Sequence, residues 1–291
     1  MIKVACDYNI KEDIGFILES EKINNIEFAE RAKVSRTTLE GIVKKGIARD
    51  DVCEKIYAYA YNNKYRINSV KEELIKEKYR DVLFHGSKKG LSEISISDSR
   101  ENCDFGKGFY LGETYNQALS FVCEKEKSCV YSFRYSLLDL KIKKFECDLE
   151  WMLAICYYRG TLGEYVSNSM VREIVNEIEK ADIVIAPIAD NKMFYIMAQF
   201  TEGEINADVA LHSLSASKLG RQFIFKTEKA LQNLVPIEKY YLSVPERKDC
   251  RKVLNERSYE IDTKLKLAKR EFKTGLYICL LYTSDAADDL I

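Results

Sequence analysis

The sequence predicts an α+β protein in which a small all-helical part precedes a body of mixed strands and helices. Residues 10–66 carry apolar residues at helical spacing in three or four short blocks, whereas from Asp81 onward short apolar strands alternate with glycine turns and further helices. The chain has 291 residues, 46% hydrophobic and 31% charged. That is an ordinary globular composition, with room for one large domain or two smaller ones.

Charge excludes one class of function at once. Lys and Arg total 45 against 46 Asp and Glu, a formal net charge of -1, so the chain is not a uniformly basic nucleic-acid coat and any DNA contact must come from a local patch. No apolar run approaches the ~18 residues of a membrane span. The N-terminus MIKVACDYNIKED lacks the apolar core of a secretion signal, so a cytoplasmic protein without a membrane partner is expected. Nine cysteines form no Cys-x-x-Cys pair, and only His85 and His212 could join them in a metal centre. Neither a disulfide framework nor a metal is expected.

Within residues 1–66, Ile26, Phe28, Ala29 and Ala32 put an apolar stripe on a first helix, Lys33 and Val34 make a turn, and Ser35 is a suitable cap for a second helix that buries Leu39, Ile42 and Val43. Residues 49–63 close the group as a further helix. This pattern resembles a helix-turn-helix of the phage-repressor (Cro/C1-like) type, although its turn lacks the usual glycine. The second helix would present Arg36, Thr37, Thr38 and Glu40 near its start and Lys44 near its end to DNA. Residues 31–49 hold six basic side chains and one acid, Glu40, a local charge of +5 suited to phosphates. A docking or dimerisation cap with a solvated basic face is the competing explanation. Residues 67–79 are charged and helical, a linker helix.

Residues 80–245 carry the chemistry. His-Gly-Ser at 85–87 ends an apolar strand, Phe-Gly-Lys-Gly-Phe-Tyr occupies 105–110, and a helix follows from Asn116 to Val122. These blocks resemble the NAD-binding core of poly(ADP-ribose) polymerase-like and diphtheria-toxin-like ADP-ribosyltransferases. Closer still is the likeness to a bacterial family of ADP-ribosyltransferase-like proteins, which adds the Asp-Phe-Gly-Lys-Gly-Phe-Tyr-Leu block, Ile-Ala-Pro-Ile-Ala-Asp at 185–190 and Phe-Lys-Thr-Glu-Lys-Ala-Leu at 225–231. The resemblance spans residues 80–242 and implies a split β-sandwich with flanking helices and NAD as substrate.

It also implies roles. His85 would bond a ribose hydroxyl, Gly86 would pair its backbone with the nicotinamide carboxamide, and Ser87 would add a hydroxyl contact. Tyr110 would stack on the nicotinamide, with Phe121 closing an aromatic sandwich. Gly106 and Gly108 would turn the chain beneath the substrate, and Arg100 would fork onto the pyrophosphate. Plain packing roles for His85, Tyr110 and Phe121, and turn roles for the glycines, compete with these. Asp104 is expected to fix its loop through backbone amides. His85, Tyr110 and Gln222 should converge on one cleft. Gln222 stands where polymerase-type relatives carry a ribose-gripping glutamate. An amide carries no charge and cannot act as a base, which favours single transfer over chain elongation. Restoring the charge with Gln222→Glu should then keep or raise NAD hydrolysis. Glu228 is the alternative acid, expected in a solvated first helical turn, and Glu202 and Glu204 form a decoy at the entry to a helix. Residues 212–219 stand where relatives carry a target-recognition loop, with His212 expected at the surface.

Residues 246–278 form a basic helix, solvated by default; 246–275 hold ten basic and six acidic residues. Residues 279–291, CLLYTSDAADDLI, break the pattern and resemble translated sequencing-adapter sequence; without Asp285, Asp288 and Asp289 the formal net charge would move from -1 to +2. The expected function is NAD-dependent mono-ADP-ribosyl transfer by a toxin-like or phage-defence effector. Its partners would be a protein or nucleic-acid acceptor, DNA, an antitoxin and a second copy of the chain. The alternatives are a regulator that only senses NAD or ADP-ribose, and an NAD glycohydrolase.

Overall fold

The computed structural model describes residues 2–215 and 220–280. The expectation of an adapter-derived tail, from 281 on, and residues 216–219 of the expected recognition loop lie outside them. No helix among the described residues is long and apolar enough to cross a membrane.

The N-terminal helices form where caps and stripes predict. Helix α1 (Ile10–Glu21) leads into α2 (Asn25–Arg31), where the Asn24 side chain accepts from the amides of Ile26 and Glu27 at 2.9 and 3.1 Å. Ser35 caps α3 (Arg36–Lys45), its Oγ accepting from the Thr38 amide at 3.1 Å. Lys33 takes the turn at φ 55°, a left-handed conformation that costs a non-glycine residue ~1 kcal/mol. Phe28, Ala29, Ala32, Val34, Leu39 and Ile42 are buried. Ile26 is exposed, correcting the expected stripe, because it lies about 200° around the helix from Phe28. Val43 is only half-buried.

The boundary at residue 66 is crossed by packing. Strand β1 (Ile2–Lys3) pairs antiparallel with β3 (Glu93–Ile94), far along the chain. Tyr57 of α4 (Asp50–Asn62) stacks at 5.0 Å on Tyr241, the last residue of β9 (Leu234–Tyr241). Lys71 of α5 (Ile67–Lys78) is nearly buried between Asp13 at 3.1 Å and Glu238 at 2.5 Å. The segment expected to be a linker is therefore a wedge whose lysine joins α1 to the sheet. Composition showed only that it was charged.

The body is α+β. Strands β2 (Val82–Ser87), β4 (Phe109–Gly112), β5 (Cys129–Tyr135), β6 (Ile142–Lys144), β7 (Ile183–Pro187) and β8 (Arg221–Phe225) join β9 in one mixed sheet of order β6-β7-β8-β4-β2-β5-β9. Among the described strands of this sheet, β6 and β7 pair in parallel and the other neighbours antiparallel. Alternation sends Leu83, Phe109, Phe133 and Phe223 into one core with Ile94 of β3 and Ala230 of α11 (Glu228–Leu231). Val184, Ala186 and Ile224 face the opposite way, into a core with α7 (Leu149–Arg159), α8 (Ser169–Lys180), α9 (Asn191–Thr201) and α10 (Ala207–Ser215). Trp151 is fully buried there, and the apolar 183–187 segment lies inside the sheet. Glu202 and Glu204 fall between α9 and α10, not on a strand.

Helix α12 (Val244–Glu271) corrects the expectation of a solvated helix. Its Ile261, Leu265 and Ala268 are buried in the α7–α10 core, a stripe at spacings of four and three that the surrounding charges mask. Its first turn closes a buried polar knot. Glu246 accepts from Tyr115 Oη at 2.9 Å and from Asn68 Nδ2 at 3.0 Å, and the same Asn68 nitrogen donates to the Tyr241 carbonyl at 2.9 Å. Tyr115 opens α6 (Tyr115–Ser120), which lies so close on β2 that a Cβ added to Gly86 would stand 2.3 Å from the Ala118 carbonyl oxygen.

Two outcomes follow from this packing. Burial raises the Glu246 carboxyl to about 7 from an ordinary 4.5. The folded chain then keeps a proton that the unfolded chain releases, so the contribution is complete below pH 4.5 and is lost as the pH rises through about 7. Wild-type stability should therefore fall across that window by an amount on the order of 2 kcal/mol that Glu246→Gln does not show, read from denaturant midpoints at stepped pH. Gly86→Ala should cost ~1–3 kcal/mol by overpacking against α6, measured in the same way.

Candidate functional site

Three sequence blocks far apart in the chain meet on neighbouring strands. His85 lies on β2, Tyr110 on β4 and Gln222 on β8, and the three strands are consecutive in the sheet. Strands β4 and β8 pair along four residues, with Gly112 opposite Gln222 and Tyr110 opposite Ile224. Strands β2 and β4 pair only at Phe84 and Gly112, after which they diverge.

His85 fills the divergence. Its Nδ1 lies 2.7 Å from the Tyr110 carbonyl oxygen, and its ring stacks on Phe109 at 4.3 Å. A carbonyl only accepts, so Nδ1 carries the hydrogen. Burial lowers the imidazole pKa to about 4, the Tyr110 bond opposing the shift. The ring is thus neutral near pH 7, and Nε2 is its remaining acceptor.

The expected convergence on one cleft needs correction. Residues directly opposite in paired strands share a face, so Tyr110 and Gln222 lie on the α7–α10 side while His85, opposite Tyr131 and stacked on Phe109, lies on the other. Backbone alternation decides this, and motif spacing does not record it. The two sides touch where His85 grips the Tyr110 backbone.

Tyr110 turns its hydroxyl into the preceding loop, donating to the Gly106 carbonyl at 2.7 Å and accepting from the Phe105 amide at 3.1 Å. Burial raises its pKa well above the usual tyrosine value. Phe121 does not close a sandwich on it: the ring stands 57% exposed where α6 ends, and no Tyr110–Phe121 ring pair occurs among the described residues. Gly106 holds a left-handed φ of 72° under the Tyr158 ring, and a Cβ on Gly108 would meet Ile224 at 2.5 Å. Like Gly86, both glycines serve packing in this chain. Ser87 is buried and Arg100 is exposed on the loop before Asp104.

Asp104 does more than fix its loop, and its partners are side chains rather than the expected backbone amides. Its Oδ1 accepts from Arg159 Nη2 at 2.6 Å and Nε at 3.1 Å, while its Oδ2 accepts from Gln222 Nε2 at 3.0 Å. The same Gln222 nitrogen donates to the Pro187 carbonyl at 3.1 Å. Asp104 and Gln222 are buried, 6% and 4% exposed, and Arg159 reaches them from the exposed end of α7, so a polar chain links α7, the 104–106 loop and β8. Sequence reading missed Arg159. A cation in the last turn of a helix is ordinarily explained by the helix dipole, and nothing in the spacing points to a carboxylate 55 residues earlier. Glu228 is exposed in the first turn of α11, as expected, and His212 is exposed with its ring 5.0 Å from Phe272.

At the N-terminal face, Arg36, Thr37, Glu40 and Lys44 are exposed on α3. Thr38 is committed to the cap, its Oγ1 2.7 Å from Ser35 Oγ. The +5 of residues 31–49 is partly neutralised. Arg31 pairs with Glu21 and Glu27 at 2.6 and 2.5 Å, Arg36 with Glu40 at 2.7 Å and Arg49 with Asp51 at 3.1 Å. Lys44 and Lys45 enter no ion pair among the described residues.

Comparison with curated proteins and with solved structures finds no match to the chain. A family profile matches residues 82–235, from the first residue of β2 into β9, a span that holds His85, Asp104, Tyr110, Arg159 and Gln222. With more than half of its length so matched, the chain belongs to the DUF3990 family, described as proteins of unknown function.

Proposed function

We propose that the chain is an NAD-dependent mono-ADP-ribosyltransferase, a toxin-like or phage-defence effector whose N-terminal helices contact DNA. The observation that carries this reading is the state of His85. It is a neutral imidazole at the opening between β2 and β4, with Nδ1–H given to the Tyr110 carbonyl and Nε2 left to accept a ribose hydroxyl. In the reaction the bond between nicotinamide and the ribose C1′ breaks, the bonding pair leaves with nicotinamide, and an acceptor oxygen or nitrogen adds to C1′ and releases its proton. The intermediate charge is oxocarbenium-like, so binding that strengthens there accelerates cleavage. In this reading Arg100 meets the pyrophosphate and Tyr110 borders the nicotinamide.

The resemblance to ADP-ribosyltransferases supports the assignment through its blocks. Strands β8, β4 and β2 are adjacent, and because His85 lies on the face opposite Tyr110 and Gln222, NAD would meet both sets of residues at the gap where β2 and β4 diverge. The limited pairing of β2 with β4 is compatible with the split sheet that the resemblance implies. The DNA-contacting part rests on the exposed α3 face, where Lys44 and Lys45 are its uncompensated cations.

Full-length protein incubated with adenylate-labelled NAD should transfer label to a macromolecule. Release of free ADP-ribose alone would make the chain a glycohydrolase, and binding without turnover would make it a sensor. His85→Ala should cut turnover by ~10–100-fold. Because Nε2 must be unprotonated, NAD binding should stay flat from pH 8 to 6 and fall as the pH approaches about 4, measured by titration calorimetry. The pair Lys44→Ala and Lys45→Ala should weaken duplex binding and lower its salt slope by about one per lysine, while leaving NAD turnover unchanged.

A further inference from the structure

We propose that Asp104, held by Arg159, is a positioning residue that fixes Gln222 as a hydrogen-bond acceptor for a hydroxyl of the NAD ribose. The inference rests on the NAD reading above and assigns the step for which an uncharged residue at 222 looked poorly suited.

Gln222 Nε2 stands between Asp104 Oδ2 at 3.0 Å and the Pro187 carbonyl at 3.1 Å, and neither of those atoms can donate. Turning the amide over would press Oε1 against a carboxylate and a carbonyl in a buried setting. The orientation is therefore fixed. Both amide hydrogens are spent, and Oε1 is the group Gln222 has left to offer. An amide oxygen presented in this way can do what one carboxylate oxygen does, accept from a hydroxyl. The Asp104 charge behind the NH2 group draws amide electron density toward Oε1 and strengthens the acceptor.

The surroundings hold the arrangement. Arg159 places Nε and Nη2 on Asp104 Oδ1 alone, leaving Oδ2 to Gln222, and its guanidinium lies 4.0 Å from the Phe194 ring centre. Trp151 Nε1 donates to the Pro187 carbonyl at 3.2 Å. The loop bearing Asp104 continues directly into the Phe105 amide and Gly106 carbonyl that hold the Tyr110 hydroxyl. One loop thus sets both Tyr110 and Gln222.

A glutamate at 222 would bring a second carboxylate to about the same separation from Asp104, where like charges oppose ionisation. This reverses the expectation from sequence that Gln222→Glu keeps or raises activity. Glutamine is the residue that Asp104 requires.

The test uses the full chain and four proteins: wild type, Asp104→Asn, Gln222→Glu and the double variant, in which amide and carboxylate exchange places. Initial rates of NAD cleavage are measured from pH 5 to 9, NAD affinity by calorimetry and folding by thermal melts. Each single variant should lose ~100-fold in kcat at pH 7.5 with NAD affinity within ~3-fold of wild type. Gln222→Glu should recover activity toward low pH, where one carboxyl of the pair is protonated. The double variant should recover ~10-fold over either single variant without that acid shift. It should stay short of wild type because a carboxylate oxygen at position 222 then faces the Pro187 carbonyl. Unchanged kcat in Asp104→Asn, or a double variant no better than the singles while folded, overturns the proposal and leaves the NAD reading standing. A wild type that neither binds nor cleaves NAD overturns that reading, and the ribose acceptor with it. Side-chain amide exchange of Gln222, slow in wild type and fast in Asp104→Asn, still decides the Asp104 contact in that case.

Discussion

Strands β2 and β4 are neighbours that pair at a single position, Phe84 with Gly112, and most of the architecture answers to that divergence. A strand that leaves its partner exposes backbone groups, and a buried carbonyl without a donor costs ~1–3 kcal/mol. The Tyr110 carbonyl recovers its donor from a side chain, His85 Nδ1. On the other side of β2, α6 closes against Gly86, where the absence of a side chain admits the helix backbone. The same few residues thus hold the sheet together where its ladder fails and leave an imidazole nitrogen available at the opening.

A second dependence runs between the N-terminal helices and the sheet. Lys71 is shared by Asp13 and Glu238, Tyr57 stacks on Tyr241, and Asn68 links the Tyr241 carbonyl to Glu246. Buried charges remain ionised only when paired, and removing one partner costs more than the pair contributes. The helices are therefore not a detachable cap. Tyr115, bound to Glu246, begins the helix that seals β2, so the first turn of α12 and the candidate site share a structural support.

Charge organisation differs at the two ends. On α2 and α3 Arg31 and Arg36 are engaged by nearby acids in exposed pairs of small energetic weight, which leaves the α3 lysines to project a field. In the sheet body the exposed Arg159 reaches onto Asp104, whose own low accessibility makes the geometry of the pair count for more.

The sequence by itself determined the class of the protein and the placement of its elements. Apolar stripes with caps at Asn24 and Ser35 predict α2 and α3, and the run from Ile183 to Pro187 predicts an interior strand, because helix and strand periods are written in neighbouring residues. The blocks holding His85, Tyr110 and Gln222 stood out through their resemblance to ADP-ribosyltransferases, not through periodicity. Tertiary structure alone decided which face each side chain takes. His85 falls on the face away from Tyr110 through strand alternation, Asp104 meets Arg159 and Gln222 across 55 and 118 residues, and the stripe of Ile261, Leu265 and Ala268 is buried within a helix whose composition reads as solvated. Such contacts are set by how strands and helices close on one another. No local pattern of residues encodes that closure, since it follows from distant backbone positions brought together only when the core is buried.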